Sequence, residues 1–462
     1  MDAYHLVVRG RIVLETGVME GELGINDGVI QTISPTQHVL KGVQVLDFGR
    51  SYVFPGLIDA HVHCYTNPEE GFRSNTAAAA VGGITTILDM PYDSPDPITN
   101  VERFEAKVQL LEKESLVDVA LWASIAKGGA EQIKPLAEAG AIAFKLSTFE
   151  ADPYRFPRIP DDEVIKAMIF THEVGMVIAF HAENGELIES LIAEYTNQGL
   201  VAPRAHMETR PPVSESVEVL KLMEFAYWTG AKLHIVHVSH PRTLELIQWF
   251  QKQGVQVTAE TCYPYVLMDV NDLERLGPKA KMNPPLRERI DVDRMWNYVQ
   301  AGAFNLISSD HVPWDLSRKE AGKDNIFSAA PGLPGLEIMA SLIFDYGVAR
   351  GHLTPVQFAN LFSHHPAQLF QIAAKGKIAP GYDADLTVID PYAEWEIDER
   401  QFQTKARITP FHGQKVQGRV IHTIIRGCTV YDGKQIVQQP GFGKFVAGSA
   451  VKGKTRTDFV SR

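Results

Sequence analysis

The chain has 462 residues, 45% of them hydrophobic and 22% charged, which suits one large globular domain accompanied by a smaller one. A net charge of −12 argues against a nucleic-acid backbone as partner, and no apolar run approaches the roughly 18 to 20 residues that span a bilayer. Three cysteines (Cys64, Cys262, Cys428) without CxxC spacing give neither a disulfide framework nor a thiolate zinc site. The opening Met1-Asp-Ala-Tyr-His lacks the layout of a secretory signal, so the expected location is the reducing cytoplasm.

In chain order, residues 1–52 read as short strands and turns, with Leu6-Val-Val-Arg-Gly-Arg-Ile-Val-Leu and Gly21-Glu-Leu-Gly-Ile ahead of the turn Asn26-Asp-Gly. Residues 53–375 alternate eight β-like runs (53–59, 84–90, 117–125, 141–146, 175–180, 232–238, 255–261, 304–308) with helix-like segments such as 72–81, 161–172, 214–228, 241–253 and 290–301. Eight short apolar strands, each followed by helical pattern, predict an α/β fold of the (β/α)8 TIM-barrel type over a doubly wound sheet. Residues 376–440 return to the texture of the N-terminus, with Asp385-Leu-Thr-Val-Ile-Asp, Ile421-His-Thr-Ile-Ile-Arg-Gly and the turn Tyr431-Asp-Gly-Lys. The two end segments are expected to pair into a small β-sandwich. Residues 441–462 have weak periodicity and are expected to form a flexible or subunit-contacting tail.

A barrel brings the carboxyl ends of its strands to one mouth, so the residues found there are the candidates for chemistry. The first strand ends in His61-Val62-His63, whose imidazoles share a side because strand residues i and i+2 do. The fourth ends at Lys145, the fifth at His181, the sixth at His237 and the eighth at Asp310. An ammonium has no lone pair, so Lys145 can ligate a metal only after reaction with CO2 to a carbamate. Four neutral histidines, one carbamate and one aspartate suit two divalent ions of the zinc type, bridged by carboxylated Lys145.

These residues sit in motifs that resemble the cyclic amidohydrolases: dihydropyrimidinase, hydantoinase, allantoinase and dihydroorotase. The matching strings are Pro55-Gly-Leu-Ile-Asp-Ala-His-Val-His, Gly82-Gly-Ile-Thr-Thr with Asp89-Met-Pro, Phe144-Lys145, His181-Ala-Glu-Asn and His237-Val-Ser. They continue with Glu260-Thr-Cys, Asn283-Pro-Pro-Leu-Arg, Ser309-Asp-His-Val-Pro, Pro334-Gly-Leu-Glu and Lys377-Ile-Ala-Pro-Gly-Tyr-Asp-Ala-Asp-Leu. The resemblance implies hydrolysis of a cyclic ureide or imide, with a hydroxide shared by two metals as nucleophile. It implies that His61, His63 and Asp310 hold the more buried ion, that His181 and His237 hold the other, and that Lys145 bridges. Asp310 is then the general base and acid, Asn283 and the backbone near residues 331–335 hold the ring amide groups, and the protein is a homotetramer or homodimer.

Departures from the family pattern bear on the substrate, a small cyclic amide. Tyr65 stands where dihydroorotases carry an arginine for the substrate carboxylate, so Tyr65 is expected to face a different substrate and dihydroorotate is disfavoured. Cys262-Tyr-Pro-Tyr lacks a histidine found in allantoinase-like members, and Glu150 replaces a tyrosine that hydantoinases use at the oxyanion. His311, beside Asp310, is expected to hydrogen-bond substrate. Asp59 is expected to orient a neighbour, His234 to pack, and His206, His364 and His365 to lie at the surface or at helix ends. The rival readings are a dihydroorotase and a non-catalytic scaffold of the dihydropyrimidinase-related kind.

Overall fold

The computed structural model describes residues 3–36 and 38–450. The chain opens with four strands, β1 (Tyr4–Leu14), β2 (Gly17–Asn26), β3 (Val29–Ser34) and β4 (Gly42–Pro55). Eight more alternate with helices: β5 (Leu57–Val62), β6 (Ile84–Asp89), β7 (Asp118–Ala123), β8 (Ala143–Ser147), β9 (Val177–His181), β10 (Lys232–Ile235), β11 (Val257–Cys262) and β12 (Leu306–Ser308). Three close the chain: β13 (Leu386–Glu396), β14 (Lys415–Ile425) and β15 (Cys428–Tyr431).

Strands β5 to β12 form one parallel sheet in sequence order. A parallel bridge between Val62 and His311 joins its edges, with the His63 amide donating to the His311 carbonyl at 2.9 Å. The eight predicted barrel strands are all present, most with ends shifted by one to three residues and the first displaced furthest. The run at 53–59 is split: Val53 to Pro55 end β4, paired to β1 and β13, and the barrel strand starts after Gly56. Glycine is required at that seam, because an added Cβ would stand 2.3 Å from the Thr85 hydroxyl.

Inward side chains (Ile58, Ala60, Leu88, Met90, Ala120, Trp122, Ala143, Ala179, Leu306) pack with Phe370 and Ile372 into an inner core. Outward ones such as Ile87, Val119, Leu121, Phe144 and Phe180 pack under the helices. In β8 and β9 the inward alternation runs on from Ala143 to Lys145 and from Ala179 to His181, which is why strand-end reading finds them. In β5 the alternation changes phase. Its register with β6 shifts between Asp59 and Val62, so Ile58 and Ala60 face the inner core while Val62 turns outward. The helices carry local start signals, as in Pro241–Lys252, where the His240 ring accepts from the Arg242 amide and Pro241 fills the first position. No helix among the described residues is long and apolar enough to cross a membrane.

Strands from both chain ends make the second sheet, in the order β15-β14-β13-β4-β1-β2-β3. A buried ion cluster ties it to the barrel. Lys375 Nζ lies 2.8 Å from Asp118 at the start of β7, 3.4 Å from Asp383, and against Asp385 at the start of β13. Arg426 also pairs with Asp118. Residues 441–450 do not form a free tail. Gly441 and Gly443 donate to the Ser115 carbonyl, Val119 donates to Lys444, Val446 donates to Val119, and the Lys444 amide donates to the Asp118 carboxylate at 2.9 Å. The rest of the expected tail, 451–462, lies outside the described residues. Removing Lys375 leaves three carboxylates buried without their common cation, so Lys375→Met is expected to lower stability by roughly 3 to 5 kcal/mol, measured by denaturant unfolding.

Candidate metal centre

Five of the six expected metal-site residues are buried, and all six line one cavity of about 350 Å³ at the carboxyl ends of the barrel strands. His61, His63 and Asp310 form the tightest group, with one ligand atom from each lying within 4.8 Å of the others. Asp310 Oδ1 lies 3.2 Å from His61 Nε2 and 3.4 Å from His63 Nε2. On the other side His181 Nδ1 faces His237 Nε2 at 3.0 Å, and the His61 and His237 rings are 5.6 Å apart. Lys145 is 1% exposed between these groups. Both His237 (φ 42°) and Asp310 (φ 45°) hold the left-handed backbone region that side-chain-bearing residues rarely adopt, so the fold spends backbone strain to aim them.

Three of the four expected metal-site histidines have their other nitrogen taken. His61 Nδ1 donates to Glu260 at 2.8 Å, and His63 Nδ1 meets the Thr66 hydroxyl at 3.3 Å. His181 Nε2 donates to Glu183 at 2.8 Å, and Arg210 donates to the same carboxylate at 2.6 Å. Burial would raise both glutamates, but the His61 and His234 rings for Glu260, and Arg210 and His181 for Glu183, more than offset it and hold both carboxyls well below the usual range. They therefore stay anionic acceptors and fix which ring nitrogen points inward. Burial draws His63, His181 and His237 below the ordinary imidazole value, so their lone pairs are free at neutral pH. Asp310 is held low by the His61 and His63 rings against the opposing effect of burial. Burial also draws the Lys145 ammonium down to about 8. Neutral imidazoles of fixed tautomer converging on an ionised carboxylate are the donor set of a divalent cation, and the site fits one.

Of the three residues expected to touch substrate, Asn283 lines the cavity, and its Oδ1 is buried without a hydrogen-bond partner. The other two are engaged elsewhere. Tyr65 donates its hydroxyl to Glu114 at 3.0 Å and accepts from the Phe72 amide. His311 donates to Asn75 at 2.7 Å and accepts from the amides of Gly335 and Leu336. With both nitrogens used and burial holding the ring near 3, His311 locks the barrel seam and has no free atom for a ligand. Asp59 does orient its neighbours, accepting from the amides of His61 and Ser309, and burial raises its carboxyl to about 7. His206 is not at the surface: it is 2% exposed, lines the cavity and donates to the Met282 carbonyl. Tyr92 completes the wall, its hydroxyl on the Lys145 carbonyl and its ring stacked on Phe156 at 3.8 Å.

The residues missed at the level of sequence are Glu260, Glu183 and Arg210. Glu260 obeys the strand-end rule on β11, and Glu183 follows His181 by two positions, so both were open to the same logic. Arg210 carries no local signal.

This barrel, with a histidine, lysine and aspartate cluster at its mouth, defines a hydrolase class, and comparison with known proteins agrees. The amidohydrolase family profile matches residues 52–430. An allantoinase of Rubrobacter xylanophilus is 35% identical over 98% of this chain and 100% of its own length. An L-hydantoinase of Paenarthrobacter aurescens is 30% identical over 96% of this chain and 98% of its own. Among solved structures, the L-hydantoinase (dihydropyrimidinase) of Arthrobacter aurescens superposes with a TM-score of 0.94 at 30% identity, covering 96% of this chain and all of that one. The dihydropyrimidinase of Brevibacillus agri gives 0.90 at 26% identity, covering 97% and 99%. The chain belongs to the amidohydrolase family and is a hydrolase.

Because the two glutamates set ring tautomers, Glu260→Gln and Glu183→Gln are each expected to weaken divalent-metal binding about 10- to 100-fold, read by calorimetric titration of the metal-stripped protein.

Proposed function

We propose that the chain hydrolyses the C–N amide bond of a cyclic ureide or imide, of the hydantoin, allantoin or dihydropyrimidine kind, with two divalent ions, zinc by donor type. The observation that carries this reading is the convergence of His61, His63, Lys145, His181, His237 and Asp310 on one cavity. The names of the similar allantoinase and L-hydantoinase support the substrate class.

His61, His63 and Asp310 would hold one ion and His181 and His237 the other, with Lys145, once carboxylated, as a ligand common to both. The lowered basicity of Lys145 favours the neutral amine, which adds to the carbon of CO2 and loses one proton. When bound, the ions supply an acidified water and polarise the scissile carbonyl. Asp310 takes the water proton as the C–O bond forms and gives it to the ring nitrogen as the C–N bond breaks, and that nitrogen stays tethered in the product. Asn283 and the backbone of 331–335 hold the ring amides. Phe149, Phe156, Trp314 and Phe327 offer apolar wall to a ring substituent. A carboxylate-bearing ring of the dihydroorotate kind is the second reading. It rests on Arg155, which lines the cavity with its Nε at 3.6 Å from Asp152.

Ring-opening rates of the metal-loaded protein against allantoin, hydantoins, dihydrouracil and dihydroorotate decide between these. One neutral ring is expected to turn over, and Asp310→Asn and Lys145→Ala are each expected to cost about 10²- to 10⁴-fold in kcat. Preference for dihydroorotate would install the second reading, and no turnover of any ring would sink both.

A further inference from the structure

Lys281 lines the same cavity, yet it has no part in the mechanism above. It is 5% exposed, and its ammonium is met by carbonyls rather than by a carboxylate. Nζ donates to the backbone carbonyls of Ile326 (2.9 Å), Phe327 (3.2 Å) and Ala329 (2.7 Å). The Lys281 carbonyl in turn accepts from the Gly332 amide (3.0 Å) and from Nζ of Lys319 (2.9 Å), itself fully buried. Phe327, Ala329, Pro331 and Gly332 are cavity wall, and Asn283 stands two residues beyond Lys281. Both partners of this contact therefore belong to the face that meets substrate.

We propose that Lys281 is a positioning residue for substrate binding, its ammonium and its carbonyl together holding segment 326–332 against the segment that carries Asn283. The inference rests on the functional reading above. The contacts to Ile326 and Ala329 are buried; the Ile326 carbonyl also accepts from the Ala329 amide, while the Ala329 carbonyl takes its donor from Lys281 reaching across the cavity wall. The segment runs close to its neighbours: at Gly332 (φ +119°) an added Cβ would stand 2.5 Å from Val312. Trp314 Nε1 grips the Pro331 carbonyl at 2.7 Å from the other side. The segment is thus clamped between Trp314 and Lys281, and loss of Lys281 frees one jaw. Contacts made equally with substrate and transition state act on KM, and those of a wall away from the reacting bond are of this kind.

The test compares Lys281→Met and Lys319→Met with the metal-loaded wild type, by steady-state kinetics on the ring turned over and by backbone hydrogen exchange. Lys281→Met is expected to raise KM on the order of tenfold while kcat stays within about threefold and metal content is unchanged. Exchange across 326–332 is expected to quicken with the rest of the barrel unaltered. Lys319→Met, which removes one donor to the same carbonyl, is expected to do the same more weakly, and it decides the matter if Lys281→Met does not fold. Unchanged KM and exchange overturn the proposal. So does a fall in kcat with exchange unchanged, which would put Lys281 in the chemistry. Should wild type open no ring, the functional reading fails, while the exchange comparison still reports whether Lys281 holds the wall.

Discussion

The centre depends on two buried carboxylates that never face the cavity. Glu260 and Glu183 decide which nitrogen of His61 and His181 points inward, and each needs cationic or N–H partners of its own, His234 and Arg210, to remain ionised where water cannot reach it. A carboxylate in that position without such partners would take up a proton and cease to orient anything. The ordering of the mouth is therefore set one layer behind the residues that line the cavity.

That layering explains what could be read from the sequence. Eight apolar runs separated by helical pattern give the barrel, because a strand buried on both faces leaves a nearly continuous apolar signature. Once the strands are placed, alternation alone delivers Lys145 and His181. His61 and His63 follow from i, i+2 spacing, although the inward phase of β5 is interrupted just before them, a detail no periodicity reveals. What stayed hidden depends on contacts across long separations. Glu260 lies 199 residues from His61, and nothing near Arg210 announces that it will meet Glu183. His311 illustrates the opposite error: adjacency to Asp310 suggests a ligand contact, but the residue after a strand end points the other way, into the seam where Asn75 and the amides of residues 335 and 336 use both ring nitrogens. The split at Gly56 was invisible because residues 53–62 are continuously buried, and only the change of pairing partner marks where one sheet stops.

The two sheets are less separate than their order along the chain suggests. Strand β4 runs into β5 through a single glycine, and Asp118 at the foot of β7 shares its carboxylate with Lys375, Arg426 and the Lys444 amide. The small sheet is thus joined both through the chain and through buried ion pairs to the barrel whose first strand carries His61 and His63.

The pairing of residues 441–450 with the start of β7 has a consequence for how this chain reaches its folded state. Lys444 and Asp118 are 326 residues apart, and β4 must wait for β13, far downstream, to cover its second edge. During synthesis from the N-terminus, β7 emerges long before its neighbour at the foot of the barrel exists, and the N-terminal strands emerge before their C-terminal partners. Those edges stay open until their downstream partners, β13 and residues 441–450, have been made. Completion of each sheet thus waits on a different downstream segment, and a ribosome that stalls between β15 and residue 441 leaves β4 covered by β13 but the start of β7 without its partner.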